Sequence, residues 1–173
     1  MKPLLMKRGI TIVLMGTAAL LAVSIWTVRA HTQTLSVGPT GSPFAVYQAT
    51  SLPASQLINP EDLVKLLKSQ KPLIIQVGSR VLYQEAHIPG SEYLGPASNE
   101  SGLQSLRNRV ESLPRSKFII LYCGCCPWSH CPNVKPANDA LHALGFTHVK
   151  VLYIANNFGT DWVDRGYPVA KGD

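Results

Sequence analysis

Four cysteines fall within nine residues, Cys123-Gly-Cys-Cys-Pro-Trp-Ser-His-Cys131, and the chain has no others. Thiols crowded in this way suit three chemistries. A thiolate attacks electrophilic sulfur or carbon, neighbouring thiols exchange with disulfides, and several thiolates together hold a soft cation. For the third, Cys123, Cys125, Cys126 and Cys131, with His130 beside them, would suit Cu(I) or Zn(II), although C-x-C-C-x4-C is not one of the usual zinc or iron–sulfur spacings. For the second, the expected bond joins Cys131 to Cys125 or Cys126 in an oxidising compartment. His130 could lower a neighbouring thiol pKa or simply be an exposed loop residue. Trp128 reads as a lid over the loop's own sulfurs more readily than as a substrate platform. Pro127 and Pro132 lack N–H groups and cannot help to cradle an anion.

The elements on either side position this loop. Phe118-Ile-Ile-Leu-Tyr122 is an aromatic and β-branched run that reads as a buried strand. In an α/β sheet, a loop leaving the C-terminal end of a strand is where ligands bind. A helix is expected after the loop, with Asn133 as its cap, Pro136 in its first turn, Ala137, Ala140, Leu141 and Leu144 on one face, and Gly145 closing it. Its N-terminus would favour a thiolate or a bound anion, and Lys135 in its first turn could add to that. Upstream, Asn59–Lys68 reads as a short helix with Asn59 as its cap and Pro60 at its first position, and Leu73–Val77 as a strand. His87-Ile-Pro-Gly90 is a turn, Tyr93-Leu94 a short strand, and Gly102–Ser112 a helix stopped by Pro114. Val149–Tyr153 is a further strand, followed by a helical stretch over about 157–165. Strands alternating with helices predict a single α/β domain over residues 56–171, its mostly parallel sheet flanked by helices.

Residues 1–30 carry Lys2, Lys7, Arg8 and Arg29 and no acid. The remainder therefore has 12 basic and 10 acidic side chains, about +2 against +6 for the whole chain. No basic stripe interleaved with aromatics is left, so nucleic-acid binding is excluded as an expectation. An uncharged run from Gly9 to Val28 follows the basic residues, and Val28-Arg29-Ala30 resembles a cleavage site. The run is longer than a typical secretory core of about 7–15 residues and close to a membrane span of about 20. Signal peptide and retained membrane anchor both fit, and both predict export, with the domain periplasmic or otherwise extracytoplasmic. Residues 31–55 are rich in Thr, Ser, Gly, Pro and Gln and read as a flexible linker.

The order of motifs over residues 56–171 resembles the rhodanese-like domain family. Leu73-Ile-Ile-Gln-Val-Gly78 and then His87-Ile-Pro-Gly90 resemble that family's first signature. Ile119-Ile-Leu-Tyr-Cys123 is similar to its strand ending in Tyr-Cys, and Leu144-Gly-Phe146, Val149-Lys-Val-Leu152, Trp162 and Gly166-Tyr-Pro-Val169 resemble its closing pattern. The resemblance implies sulfurtransferase chemistry: Cys123 as the nucleophile that takes sulfur from a sulfane-sulfur donor, carries it as a persulfide and yields it to a thiophilic acceptor. No organic cofactor is implied. Cys125, Cys126 and Cys131 would then be resolving, regulatory or disulfide-forming thiols. A soft-metal thiolate module and an inactive, disulfide-locked domain are the alternatives. The sequence departs from the family where Gln76 and Gly78 replace the usual Asp and Arg, which makes Arg80 a candidate anion holder beside an ordinary surface role. Asn156-Asn157 replaces a glycine pair. Nine residues separate Cys123 from Asn133, a longer loop than the family's.

Overall fold

The computed structural model describes residues 51–173. The predicted signal or anchor segment and most of the predicted linker lie outside the described residues. Five strands, β1 (Leu57–Ile58), β2 (Leu73–Gln76), β3 (Glu92–Tyr93), β4 (Ile119–Tyr122) and β5 (Val149–Leu152), form one sheet in the order β1-β5-β4-β2-β3. Every pairing is parallel, with β4 at the centre: Ile74 aligns with Ile120 on one side of it and Lys150 aligns with Ile120 on the other. A parallel sheet needs a crossover between neighbouring strands, and helices supply it. They are α1 (Pro60–Leu66), α2 (Arg80–Glu85), α3 (Glu100–Val110) and α4 (Val134–Ala143).

Both faces of the sheet are covered, which is why β4 reads as an unbroken apolar run instead of an alternation. Ile119, Leu121 and Cys123 face one layer with Leu106 and Val110 of α3 and Ala137 and Leu141 of α4. Ile120 and Tyr122 face the other, with Leu63 of α1, Phe158 and Trp162. Four expectations need correction. Tyr93-Leu94 falls one residue late for the strand at 92–93. The stretch expected to be helical over about 157–165 is a single π-turn, Gly159–Val163. Asn59 precedes α1 without a side-chain capping bond. Asn133 does not cap α4 either, since its backbone is already helical and its carboxamide is used elsewhere.

The predicted turn is anchored firmly to the strands. The Ile88 N–H donates to Tyr122 Oη at 3.2 Å, and Ser91 Oγ lies 3.0 Å from the same oxygen. His87 stacks on Tyr83 with ring centres 4.0 Å apart. It also exchanges two backbone hydrogen bonds with Ala170, each 2.9 Å, which ties the C-terminal tail to this turn. The rest of the tail continues onto α2, where Asp173 Oδ1 accepts from Arg80 and Gln84.

Candidate functional site

Cys123 follows the last residue of β4 and is only 4% exposed. Its carbonyl accepts from Gln76 Nε2 at 3.1 Å, while Gln76 Oε1 accepts from the Gly78 N–H at 3.0 Å. Gln76, itself 2% exposed, therefore latches β2 to the exit of β4 with one neutral amide. An amide donates to one strand and accepts from the other without the burial cost of a charge. Gly78 is small of necessity: a Cβ there would sit 2.7 Å from Cys123 Sγ. Next comes Gly124, with φ +73°, a left-handed conformation that favours glycine and that turns the chain back over the sulfurs. Its carbonyl accepts from the Phe158 N–H at 2.9 Å.

That turn brings the thiols together. Cys123 Sγ lies 3.0 Å from Cys125 Sγ, and Cys125 Sγ 3.5 Å from Cys126 Sγ. The Cys126 thiol donates to the His130 carbonyl at 3.7 Å. Asn133 Nδ2 points at Cys123 Sγ (3.5 Å) and Cys125 Sγ (3.8 Å), and its Oδ1 accepts from the Ser98 N–H at 2.9 Å. The residue expected as a helix cap thus holds the sulfurs instead. The N–H groups of Asn133 and Val134, at the start of α4, are directed to the Cys131 thiol.

Charge follows this geometry. The Cys123 pKa is raised well above the ordinary thiol range, because hydrogen bonding to Cys125, Cys126 and Cys131 favours its protonated form and burial adds to it. Cys125 is lowered to about 6, chiefly by the hydrogen bond from Cys123, against the effect of burial. Cys131 is lowered to about 7, again first by Cys123 and then by the backbone N–H groups of Asn133 and Val134. One S–H serves one acceptor at a time, so Cys125 and Cys131 cannot both draw on Cys123. The cluster is best described as an anion shared over sulfurs, with the proton resting on Cys123.

The remaining predicted residues divide. Trp128 packs edge-on against Tyr153, ring centres 5.1 Å apart, and its backbone N–H donates to the Ala155 carbonyl at 3.0 Å, which fastens the loop to the segment after β5. Exposed His130 has Nδ1 2.8 Å from Ser129 Oγ. Arg80 pairs with Asp173 at 2.8 Å and lies over the Tyr93 ring, and Lys135 pairs with Asp139. Both cations are thus engaged with partners other than the sulfurs. Among the described residues, the sulfurs of Cys123, Cys125 and Cys126 form a group within 4.8 Å of one another that could hold a metal ion.

Access is unequal. Cys123 touches a cavity of about 10 Å³ between Cys126, Trp128, Cys131 and Ile154. Cys125 lines an open cleft of about 400 Å³ between Leu82, Glu85, Phe158 and Val163. A larger cavity, about 440 Å³, lies between Val64, Ile74, Ile88 and Trp162, and no cysteine lines it. The Gln76 latch, the sulfur-facing carboxamide of Asn133 and the apolar cleft were not foreseen from sequence. Gly78 directly behind a buried strand was the one signal of a close approach.

A five-stranded parallel sheet flanked by helices, with a buried cysteine at the exit of its central strand, defines the class of α/β domain. The chain belongs to the rhodanese-like domain family, whose sequence pattern matches residues 59–153. No curated protein matches the chain. Among solved structures, it is similar to the Alr3790 protein from Anabaena sp. (23% identity, 66% of this chain and 82% of that one, TM-score 0.51). It is also similar to the BH2092 protein from Bacillus halodurans (23% identity, 68% and 77%, TM-score 0.52). A thiosulfate sulfurtransferase from Pseudomonas aeruginosa shares the fold at 21% identity and TM-score 0.51, over 68% of this chain and 19% of that one.

Proposed function

We propose that this chain is an exported sulfurtransferase or persulfide carrier in which Cys123 holds the transferred sulfur. The observation that carries the reading is the Cys123 thiol, buried at the strand exit 3.0 Å from the sulfur of Cys125. A buried thiol is a poor nucleophile until it loses its proton. Here the proton can pass along the S···S contact to a neighbouring sulfur that already carries charge, without a water molecule. The Cys123 thiolate then attacks the outer sulfur of a donor such as thiosulfate, forms the persulfide and expels sulfite. Neither atoms nor charge are gained, and the sulfur remains in the sulfane state until a thiophilic acceptor takes it. Asn133 Nδ2 supports the anion on either sulfur, and the other cysteines serve as resolving or regulatory thiols.

The test is intact-mass analysis of the reduced protein after exposure to thiosulfate. One reductant-labile sulfur should be gained, and Cys123→Ser should abolish the gain. Retention of the adduct in that variant would overturn the assignment. Export is proposed from the Lys/Arg-flanked apolar run, with membrane attachment if the segment is uncleaved. A reporter active only outside the cytoplasm, fused after Asp173, should give signal, and silence of that reporter beside an active cytosolic one would refute it.

A second reading has its own support: the sulfurs of Cys123, Cys125 and Cys126, all within 4.8 Å, approach the geometry of a trithiolate site for Cu(I) or Zn(II). Stoichiometric metal in the purified protein, with sulfur loading only after its removal, would promote this reading over the first.

A further inference from the structure

We propose that Cys125 resolves the Cys123 persulfide, so that the domain reduces sulfane sulfur to hydrosulfide and is then reset by an external dithiol arriving through the cleft. This rests on the sulfur-carrying role proposed above and adds what happens to the sulfur. Two observations carry it, one of distance and one of access.

The distance is 3.0 Å between Cys123 Sγ and Cys125 Sγ. A disulfide bond is about 2.05 Å long, so the two sulfurs must close by about 1 Å to bond. Handing an outer sulfur from one to the other would require that atom to fit between them, with about 2 Å or more on each side. The observed spacing is too short for such an in-line relay. It suits direct attack of Cys125 on the inner sulfur. The small cavity touching Cys123 is not lined by Cys125, so an outer sulfur lodged there leaves the Cys125 side of Sγ open. Gly124 between the two cysteines, with φ +73°, gives the backbone the tight reversal that a Cys-x-Cys bond needs.

The step balances. The proton that Cys125 took from Cys123 passes to the outer sulfur of the persulfide. The Cys125 thiolate bonds to Cys123 Sγ, the sulfur–sulfur bond of the persulfide breaks, and hydrosulfide leaves with that proton and the bonding pair. The sulfane sulfur is reduced by two electrons, and two cysteine thiols become one disulfide. Only the Cys125 end of that disulfide faces the cleft of about 400 Å³. A dithiol reductant therefore attacks Cys125 Sγ, releases the Cys123 thiol and forms a mixed disulfide, and its second thiol then expels Cys125. The cleft has an apolar rim, with Leu82 40% and Val163 36% exposed, and one acid, Glu85. That lining suits an uncharged or weakly charged dithiol better than an anionic thiol such as glutathione.

Thiosulfate is the discriminating probe, because its leaving group is sulfite and any hydrosulfide must come from resolution. The full chain, reduced and freed of reductant without air, is treated with one equivalent of thiosulfate. We expect about one equivalent of sulfide, the loss of two thiols and a Cys123–Cys125 disulfide in the peptide map. Cys125→Ser should retain a stable added sulfur on Cys123 and release less than a tenth of the sulfide. Dithiothreitol should make sulfide release by the wild type catalytic, with glutathione at least tenfold slower. A wild-type protein that keeps its added sulfur and releases no sulfide overturns this inference and leaves the carrier reading intact. A disulfide mapped to Cys126 or Cys131 overturns it also, and that result needs no variant to fold. Absence of any sulfur uptake would defeat both.

Discussion

Replacing Gly78 by alanine would probe the packing around Cys123 without touching a cysteine. Gly78 does not occupy the left-handed region, so the backbone tolerates a Cβ, and the cost is steric. The new carbon would lie 2.7 Å from Cys123 Sγ, 3.2 Å from Gln76 Nε2 and 3.4 Å from the Cys123 carbonyl. Relief requires Sγ to retreat by about 1 Å, and it cannot do so freely, because Cys125 and Asn133 stand against it. Overpacking of this kind costs about 1–3 kcal/mol. With a urea slope of about 2 kcal/mol/M, the unfolding midpoint should fall by about 0.5–1.5 M. The same substitution in a Cys123→Ala background meets no sulfur, and its cost there should drop below about 1 kcal/mol. The difference between the two backgrounds is a coupling energy of about 1–2 kcal/mol, well above the roughly 0.5 kcal/mol expected of independent sites. Urea unfolding of the four proteins of this cycle measures it. An equal cost in both backgrounds would refute the contact between Gly78 and the sulfur, and with it the geometry from which the site is built.

The shared anion, on Cys125 (lowered to about 6) or on Cys131 (lowered to about 7), persists at pH values where an ordinary cysteine, near 8.5, is protonated. Iodoacetamide labelling of Cys125 should therefore fall only as pH drops through about 6, and a midpoint above 8 would contradict the shared anion. Asn133→Ala removes the acceptor of the Ser98 N–H and the donor to two sulfurs, and should cost about 1–3 kcal/mol in urea unfolding and move the labelling midpoint upward. A loss of stability with an unmoved midpoint would make Asn133 purely structural. Gln76→Leu leaves the Gly78 N–H and the Cys123 carbonyl without their partner, and should destabilise by about 2 kcal/mol or more. A neutral result would show that water replaces the latch.

The fold was legible where burial is two-sided. β2 and β4 announce themselves as apolar runs because helices cover both faces of the sheet, whereas β5 is interrupted by the half-buried Lys150; α3 and α4 show helical spacing because each has a single buried face. α2 gave no such signal: Val81 and Leu82 are exposed, so its apolar residues do not mark an inner face. β1, at two residues, is too short to carry a period at all. At the site, the cysteines and their place after a strand could be read directly. Their distances could not, because they follow from the φ of one glycine and the rotamer of one asparagine. Asn133 is the instructive failure: its position predicts a cap, but a buried carboxamide goes where the unsatisfied groups are, and here those are two sulfurs and the Ser98 N–H.

The neighbour relations of the sheet also constrain when it can be completed. Among the described residues, β1, the first strand of the sheet to be synthesised, pairs only with β5, the last, and the His87 turn is fastened by Ala170. A nascent chain lacking Leu152 can assemble β2, β3 and β4 but leaves Leu57 and Ile58 without the edge they join. Until Ala170 emerges, the turn that braces Tyr122, and through it the base of the cysteine loop, has lost its fastening. Contacts of such long sequence separation form late, after the loop-closure entropy has been met. The sulfurs of the cysteine loop would therefore acquire their final geometry only when translation of the domain is nearly finished.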